Sequence, residues 1–459
     1  MRELRPYVSA VVRPIPITTR EERERELARA GYNPFNIQAD KVSIDFMSDS
    51  GTGALSIDQQ AWAQRADERY AGAESFYRFR ESVADLVPYP HILPVHQGRA
   101  GERILFGALL KSGQISVSNT HFDTTRANVE LLGCQALDLP CPGAADLDSD
   151  APFKGDIDLD ALERLLTGYA GGRVGQILMT ITNNGGGGQP VSMANLRAVS
   201  ELARRHGVPF LLDAARFAEN AWLVTRREEG YENWTPREVA RAAFELADGC
   251  VASLKKDGLS HVGGFIGLHD TGLATRCEAH VIAGEGFRTY GGMTGHTMET
   301  LAQGLREVVE PSYLADRERE AAFLADEAHR AGVDTVRPSG LHAIYLNAGR
   351  LLPHLRPGDF PGHALGCQLY LEGGIRAVEL GSLYLGKLDD DHSLVSPAPY
   401  ELVRLAIPRR VYDHSHLEYV GDVLASIAKE PERVPGYRIT HAPELLRHFH
   451  LRLEPAARR

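Results

Sequence analysis

Val208-Pro209-Phe210-Leu211-Leu212-Asp213-Ala214-Ala215-Arg216 is an apolar run that ends on a carboxylate. About forty residues later, Gly249-Cys250-Val251-Ala252-Ser253-Leu254-Lys255-Lys256-Asp257 repeats the pattern, with a hydroxyl and two amines at its end. Short apolar runs bounded by polar or glycine residues read as buried strands, and residues 114–118, 174–180 and 263–268 have the same character. Between the runs at 174–180 and 208–212, a stretch opened by Ser192 and closed by Gly207 reads as a helix, which completes a βαβ unit. Strands alternating with helices predict an α/β fold with a mainly parallel, doubly wound sheet. In such sheets ligands sit beyond the carboxyl ends of the strands, where Asp213 and Ser253 both fall.

The residue types at those ends suit pyridoxal phosphate (PLP). The cofactor aldehyde needs an amine that is neutral part of the time, and a neighbouring cation or burial lowers a lysine pKa. Lys256 is the candidate amine and Lys255 the neighbouring cation. The pyridine nitrogen must stay protonated for the ring to act as an electron sink, and Asp213 is the candidate carboxylate. Each motif has a plainer reading, a solvated lysine pair and a helix-capping aspartate; the two together favour the cofactor. Backbone N–H groups at a helix start, with a cation, suit its phosphate, and Gln97-Gly98-Arg99 ahead of a helical stretch supplies both.

Further segments carry a resemblance. Asp49-Ser50-Gly51-Thr52-Gly53, His96-Gln97-Gly98-Arg99, Gly187-Gly188-Gln189-Pro190-Val191-Ser192 and Arg404-Leu405-Ala406-Ile407-Pro408-Arg409 occur in an order that resembles the tryptophanase and tyrosine phenol-lyase family over nearly the whole length. That resemblance implies PLP fold type I, like aspartate aminotransferase, with a seven-stranded sheet in a large domain at 56–310. A smaller α+β domain would be formed by 1–55 and 311–459. It assigns Gln97, Gly98, Arg99 and Ser253 to the phosphate, Phe122 to stacking on the ring, and Arg216 with Asn184 to the phenolic oxygen, and it counts Lys255 among the cofactor-binding residues. Tyr290 resembles a residue that reaches the phosphate of an adjacent subunit.

An α-carboxylate suits an arginine fork. The resemblance places Arg404 there with Ser48, Ser50 and Asn184; Arg409 and Arg410 are rivals whose spacing does not match. β-Elimination also needs a base at Cα and an acid at the leaving carbon. Lys256 is the expected base, and Tyr70, contributed by a neighbouring subunit, the expected acid. Glu68, with the Gly51 and His261 backbone carbonyls, matches a potassium site. Shared sites imply at least a dimer, and the family is typically tetrameric.

Three positions separate the two branches of the family. Asp123, Leu380 and His448 stand where phenol-lyases resemble threonine, arginine and phenylalanine, and Phe287 also fits the indole version. Leu380 would widen and dry a pocket for an indole, Asp123 could accept its N–H or assist protonation at C3, and Asp123 and His448 join Lys256 and Tyr70 as candidate catalytic residues. The expected substrate is therefore L-tryptophan, giving indole, pyruvate and ammonia. The alternatives are tyrosine, a modified tryptophan or another β-substituted amino acid, and an inactive PLP-fold scaffold. Leu254, Gly185-Gly186 and Arg288 depart from the family pattern.

Composition narrows the remaining classes. Of 459 residues, 43% are hydrophobic and 24% charged, ordinary for a globular protein. The net charge of −11 argues against a nucleic-acid partner. Met1-Arg2-Glu3-Leu4-Arg5-Pro6 lacks an apolar signal core, and no run of eighteen apolar residues occurs, so the expectation is a cytoplasmic chain with no membrane partner. Five cysteines, at 134, 141, 250, 277 and 367, make an odd count without zinc spacing and read as core thiols. Residues 20–26, Arg-Glu-Glu-Arg-Glu-Arg-Glu, read as an exposed, salt-bridged helix, and Asp389-Asp390-Asp391 as a solvated loop.

Overall fold

The computed structural model describes residues 5–8, 12–168, 170–443 and 446–456; Met1 to Leu4, part of the segment searched for a signal core, lie outside them. The chain divides into two compact units. The central unit is Ser50–Ala144 with Ala151–Asp316, and the terminal unit is Met1–Asp49, Ala145–Asp150 and Arg317–Arg459. That Ala145–Asp150 joins the terminal segments has no counterpart in the sequence reading.

The central unit is built on seven strands: β1 (His91–Val95), β2 (Ile115–Ser118), β3 (Gln135–Asp138), β4 (Val174–Thr180), β5 (Phe210–Asp213), β6 (Gly249–Ser253) and β7 (Gly264–Leu268). They lie in the order β1-β7-β6-β5-β4-β2-β3. The pairs from β6 through β3 are parallel, whereas β7 runs antiparallel to both β1 and β6. Every residue of β2, β4, β5, β6 and β7 is buried, as expected of strands covered on both faces. The expected helix runs Met193–His206; the Ser192 hydroxyl accepts from the Asn195 N–H, and Gly207 closes it at φ 62°.

Helix Gly98–Leu109 follows β1 and buries Ala100, Gly101, Ile104 and Leu105. A β-carbon at Gly101 would stand 2.8 Å from Val251 Cγ2, so the absence of one lets the helix close on the sheet. Its N-terminus is thereby brought to the end of β6.

Within the terminal unit, Val378–Leu380, Leu402–Ala406 and Ala343–Asn347 form a three-stranded antiparallel sheet in that order, and Ile44–Asp45 pairs in parallel with Ile375–Arg376. Helices Pro361–Gly373 and His414–Lys429 share its apolar core, which includes Leu365, Leu369, Val420 and Leu424. Helix Arg20–Arg29 is salt-bridged and mainly exposed, as expected, with two exceptions. Arg23 and Leu27 are buried, and Arg23 donates to the Leu371 and Glu372 carbonyls at 2.8 and 2.9 Å. Asp389, Asp390 and Asp391 are exposed, and all five cysteines are free thiols. Among the described residues no helix is long and apolar enough to cross a membrane.

Candidate active site

Three neighbouring strands end together. Asp213 closes β5 in register with Thr180 of β4 and Val251 of β6, and β6 closes at Ser253. The chain turns through the half-buried Lys255 and Lys256 and re-enters the sheet as β7 at Gly264. Around these ends lies a cavity with about 670 Å³ of non-atom space, part of it open to solvent. Ser50, Gln97, Gly98, Arg99, Phe122, Asn184, Asp213, Arg216, Ser253, Lys255 and Lys256 all line it.

The donor set of this cavity fits PLP. Helix Gly98–Leu109 begins after Gln97 without a side-chain cap, leaving its first N–H groups to an anion. A β-carbon at Gly98 would meet Ser253 Cβ at 2.6 Å, so the cradle is formed by backbone pressed against the Ser253 hydroxyl position. Arg99 and Lys255 add cations. Phe122, half-buried, is the residue before helix Asp123–Glu130.

Electrostatics agree with that fit. Burial pushes the Asp213 carboxyl above the usual carboxylate range, while Lys256 and Arg216 pull it the other way. A cation at the pyridine position would add to that second influence. Glu102, on the same wall, is pushed up to about 7, by burial first and then by Asp213, with Lys256 and hydrogen bonds from Thr125 and Asn128 opposing. Burial and Arg99 lower the pKa of Lys255. The lysine expected to act as the neighbouring cation is therefore itself biased toward neutrality, and Arg99 is the firmer positive charge.

Other expected residues lie elsewhere in the central unit. Asp123 is half-buried, and its Oδ1 accepts from the Thr124 N–H at 2.5 Å. Tyr70, 71% exposed, stacks on Phe287 with ring centroids 5.5 Å apart and meets Tyr290 edge-on at 5.7 Å, so three expected residues form one aromatic group. Gly51 donates its N–H to the Lys255 carbonyl at 2.7 Å and stands so near His261 that a β-carbon would be 2.8 Å from that carbonyl oxygen. Glu68 accepts from the Gly295 and His296 N–H groups at 2.9 and 3.2 Å, at the start of helix Gly295–Glu307.

Four expected residues belong to the terminal unit. Arg404, on the middle strand of its sheet, donates to the Met47 carbonyl at 3.1 Å, and Ser48 follows Met47. The rival Arg409 is 2% exposed and paired with Asp49 at 2.9 Å. Leu380 is buried with Tyr345 and Leu402. His448 packs against Tyr384 and Phe449, with centroids at 4.6 and 4.0 Å.

Glu102, Thr180 and Thr182 line the cavity without having been singled out from the sequence. A signal existed for Glu102, which follows Gly98 and Arg99 by four and three residues and so shares their helix face.

The family model described as beta-eliminating lyase matches residues 45–422, which takes in both the cavity and the strand that carries Arg404. The chain belongs to the beta-eliminating lyase family. Among its relatives, a protein of Hyphomonas neptunium named tryptophanase is 47% identical, covering 97% of this chain and 98% of its own. Another of that name, from Salinibacter ruber, is 46% identical over 99% and 96% of the two chains. One from Rhodobacter capsulatus is 44% identical over 98% and 99%. Solved structures share the fold at low identity. An aromatic aminotransferase of Pyrococcus horikoshii has a TM-score of 0.61 at 14% identity, covering 88% of this chain and all of its own. Leishmania major threonine aldolase has a TM-score of 0.58 at 13%, covering 84% and 99%. This beta-eliminating lyase is a PLP-dependent enzyme of fold type I.

Proposed function

We propose that the chain breaks down L-tryptophan by β-elimination to indole, pyruvate and ammonia. The supporting observation is the gathering of Lys256, Asp213, Arg216, Phe122 and the Gly98–Ser253 cradle around one cavity, in a chain whose tryptophanase relatives match it almost end to end. Bound PLP supplies the electron sink that makes the Cα proton acidic.

The residues divide the remaining work. Lys256 takes the Cα proton, and Asp213 holds a proton at the pyridine nitrogen. Arg216 and Asn184 orient the phenolic oxygen, and Phe122 restrains the ring by stacking. Gln97, Gly98, Arg99, Ser253 and Lys255 hold the phosphate. Arg404, with Ser48, Ser50 and Asn184, binds the α-carboxylate. Tyr70 and Asp123 deliver a proton to the leaving carbon, and His448, Leu380 and Phe287 shape the space for an indole.

The backbone carbonyls of Gly51 and His261, two residues that approach closely within the central unit, are hard oxygen donors suited to potassium, with Glu68 as the third ligand. The enzyme works as a cytoplasmic homotetramer in which Tyr70 and Tyr290 serve the neighbouring site; the exposure of Tyr70 supports that assignment.

The test is to mix PLP-loaded protein with L-tryptophan in potassium buffer and follow indole and pyruvate together. Equimolar release is the expected result. Pyruvate released from other amino acids but not from tryptophan would keep the lyase and overturn the substrate.

A further inference from the structure

Glu102 occupies a position that the roles above leave unused. It lies one turn into helix Gly98–Leu109, lines the cavity, and is only 6% exposed. Its carboxylate accepts from Thr125 Oγ1 at 2.6 Å, Asn128 Nδ2 at 3.0 Å and Thr124 Oγ1 at 3.2 Å. All three donors sit on helix Asp123–Glu130, whose first residue follows Phe122. One buried side chain thus ties the helix that presents Gly98 and Arg99 to the helix whose start carries Phe122 and Asp123. Two helices share no backbone ladder, so side-chain contacts such as these set their register.

The charge is as informative as the bonds. The ionisable groups around Glu102 are Asp213 at the end of β5, Arg216 beyond it, Lys255 and Lys256 after β6, and Arg99 on its own helix. His121 also acts on the Asp213 carboxyl. Burial and Asp213 hold Glu102 near 7, so its charge changes within the neutral range.

Resting on the PLP reading of the cavity, we propose that Glu102 is a positioning residue of the cofactor site. It fixes the Phe122–Asp123 helix start against the Gly98–Arg99 cradle and gives Lys256 a second buried anion beside Asp213. A buried carboxylate near the lysine nitrogen favours the protonated form of that nitrogen, and its removal disfavours that form.

The test compares wild type with Glu102→Gln, Glu102→Asp and Thr125→Val. One readout is PLP affinity by titration of the apoprotein; the other is the pH midpoint of the bound cofactor's visible absorbance. Glu102→Gln is expected to bind PLP about tenfold more weakly and to lower the midpoint by about half a unit. Thr125→Val, which keeps the carboxylate, is expected to weaken PLP binding about threefold and leave the midpoint in place. A residue that only packed would lower thermal stability without moving the midpoint. Glu102→Gln with wild-type affinity and midpoint would overturn the proposal. If that variant fails to fold, Glu102→Asp and Thr125→Val decide: wild-type PLP affinity in both would overturn it, and weakened affinity in both would support it. Neither readout uses an amino acid, so failure to release indole leaves the test intact, whereas a wild type that binds no PLP would refute the cofactor reading itself.

Discussion

Gly98 stands directly against Ser253, because a β-carbon there would lie 2.6 Å from Ser253 Cβ and 3.1 Å from its Cα. The contact closes the gap between the start of a helix and the end of a central strand, and the proposed function makes that closed gap the phosphate cradle. Gly98→Ala should force the two apart while favouring the helix itself by up to about 1 kcal/mol. The expected outcome is PLP affinity lowered about tenfold or more at nearly unchanged thermal stability. Fluorescence titration of the apoprotein measures it, and an affinity within twofold of wild type would count against the cradle.

The proposed function gives Lys256 the heaviest chemical role. Lys256→Ala should leave a folded protein from which PLP dialyses away, because the amine that retains it is gone. Pyruvate release should fall by about 10²–10⁴-fold, the usual loss for a missing acid–base group. Measuring retained cofactor beside pyruvate separates the two effects, and a variant that keeps both would remove Lys256 from its role.

The terminal unit should lose stability in acid through His363. This imidazole is 4% exposed, and its ring lies edge-on to Tyr437 with centroids 5.0 Å apart. Burial lowers its pKa from 6.5 to about 4. Between those values the unfolded chain takes up a proton that the folded unit refuses, so stability present above pH 6.5 is lost as pH falls toward 4. Linkage puts the full effect at about 3 kcal/mol. Urea unfolding at pH 7 and pH 4.5 should show a larger loss for wild type than for His363→Gln. Equal losses would place the acid sensitivity elsewhere.

Glu379 and Glu401 behave in the opposite sense. Both are 8% exposed, and a β-carbon on Gly381 would lie 2.4 Å from Glu401 Oε2 and 2.7 Å from Glu379 Oε1. The two carboxyls therefore converge on a glycine; Glu379 Oε1 accepts from the Leu383 N–H and Glu401 Oε1 from the Ser382 N–H, both at 3.1 Å, and the Ser382 side chain also bonds Glu401. Burial raises both, and Glu401 raises Glu379 further. A carboxyl held protonated stabilises the folded unit below its ordinary range and loses that contribution as pH rises from 4.5 toward the raised value. Glu379→Gln should accordingly raise the melting temperature more at pH 9 than at pH 5, and a uniform shift across pH would contradict the pairing.

Five of the seven central strands were legible because they are short, mainly apolar and punctuated; His91–Val95, which contains a proline, and Gln135–Asp138, polar at both ends, were not singled out. Ser192 and Gly207 bracket a helix by cap chemistry alone, and Asp213 and Ser253 announce strand ends because a polar group terminates each run. The antiparallel sense of β7 left no such mark, since an apolar strand buried on both faces reads alike in either direction. Glu102 was passed over for a related reason: its significance lies in Thr124, Thr125 and Asn128, and a helix sequence does not reveal which neighbour faces it. Arg23 misled because a run of alternating charges resembles a solvated face until backbone carbonyls at Leu371 and Glu372 arrive to receive it. Glu68, marked for a cation by resemblance, also accepts from the amides that open helix Gly295–Glu307, partners too distant in sequence to be read from its own segment.

The turn from Ser253 to Gly264 has a bearing on the order of assembly. Because β7 doubles back beside β6, Lys256 sits in a hairpin whose two strands are close in sequence, with Ser253 opposite Gly264. The pairing of β7 with β1, His91 opposite Leu268, must instead close a loop that spans more than a third of the chain. Loop-closure entropy and contact order favour the near pairing first. In pulsed hydrogen exchange during refolding, the amides of β6 and β7 should gain protection before those of β1, so that the lysine turn exists as a local object before the cavity around it; simultaneous protection would argue for a sheet that forms all at once.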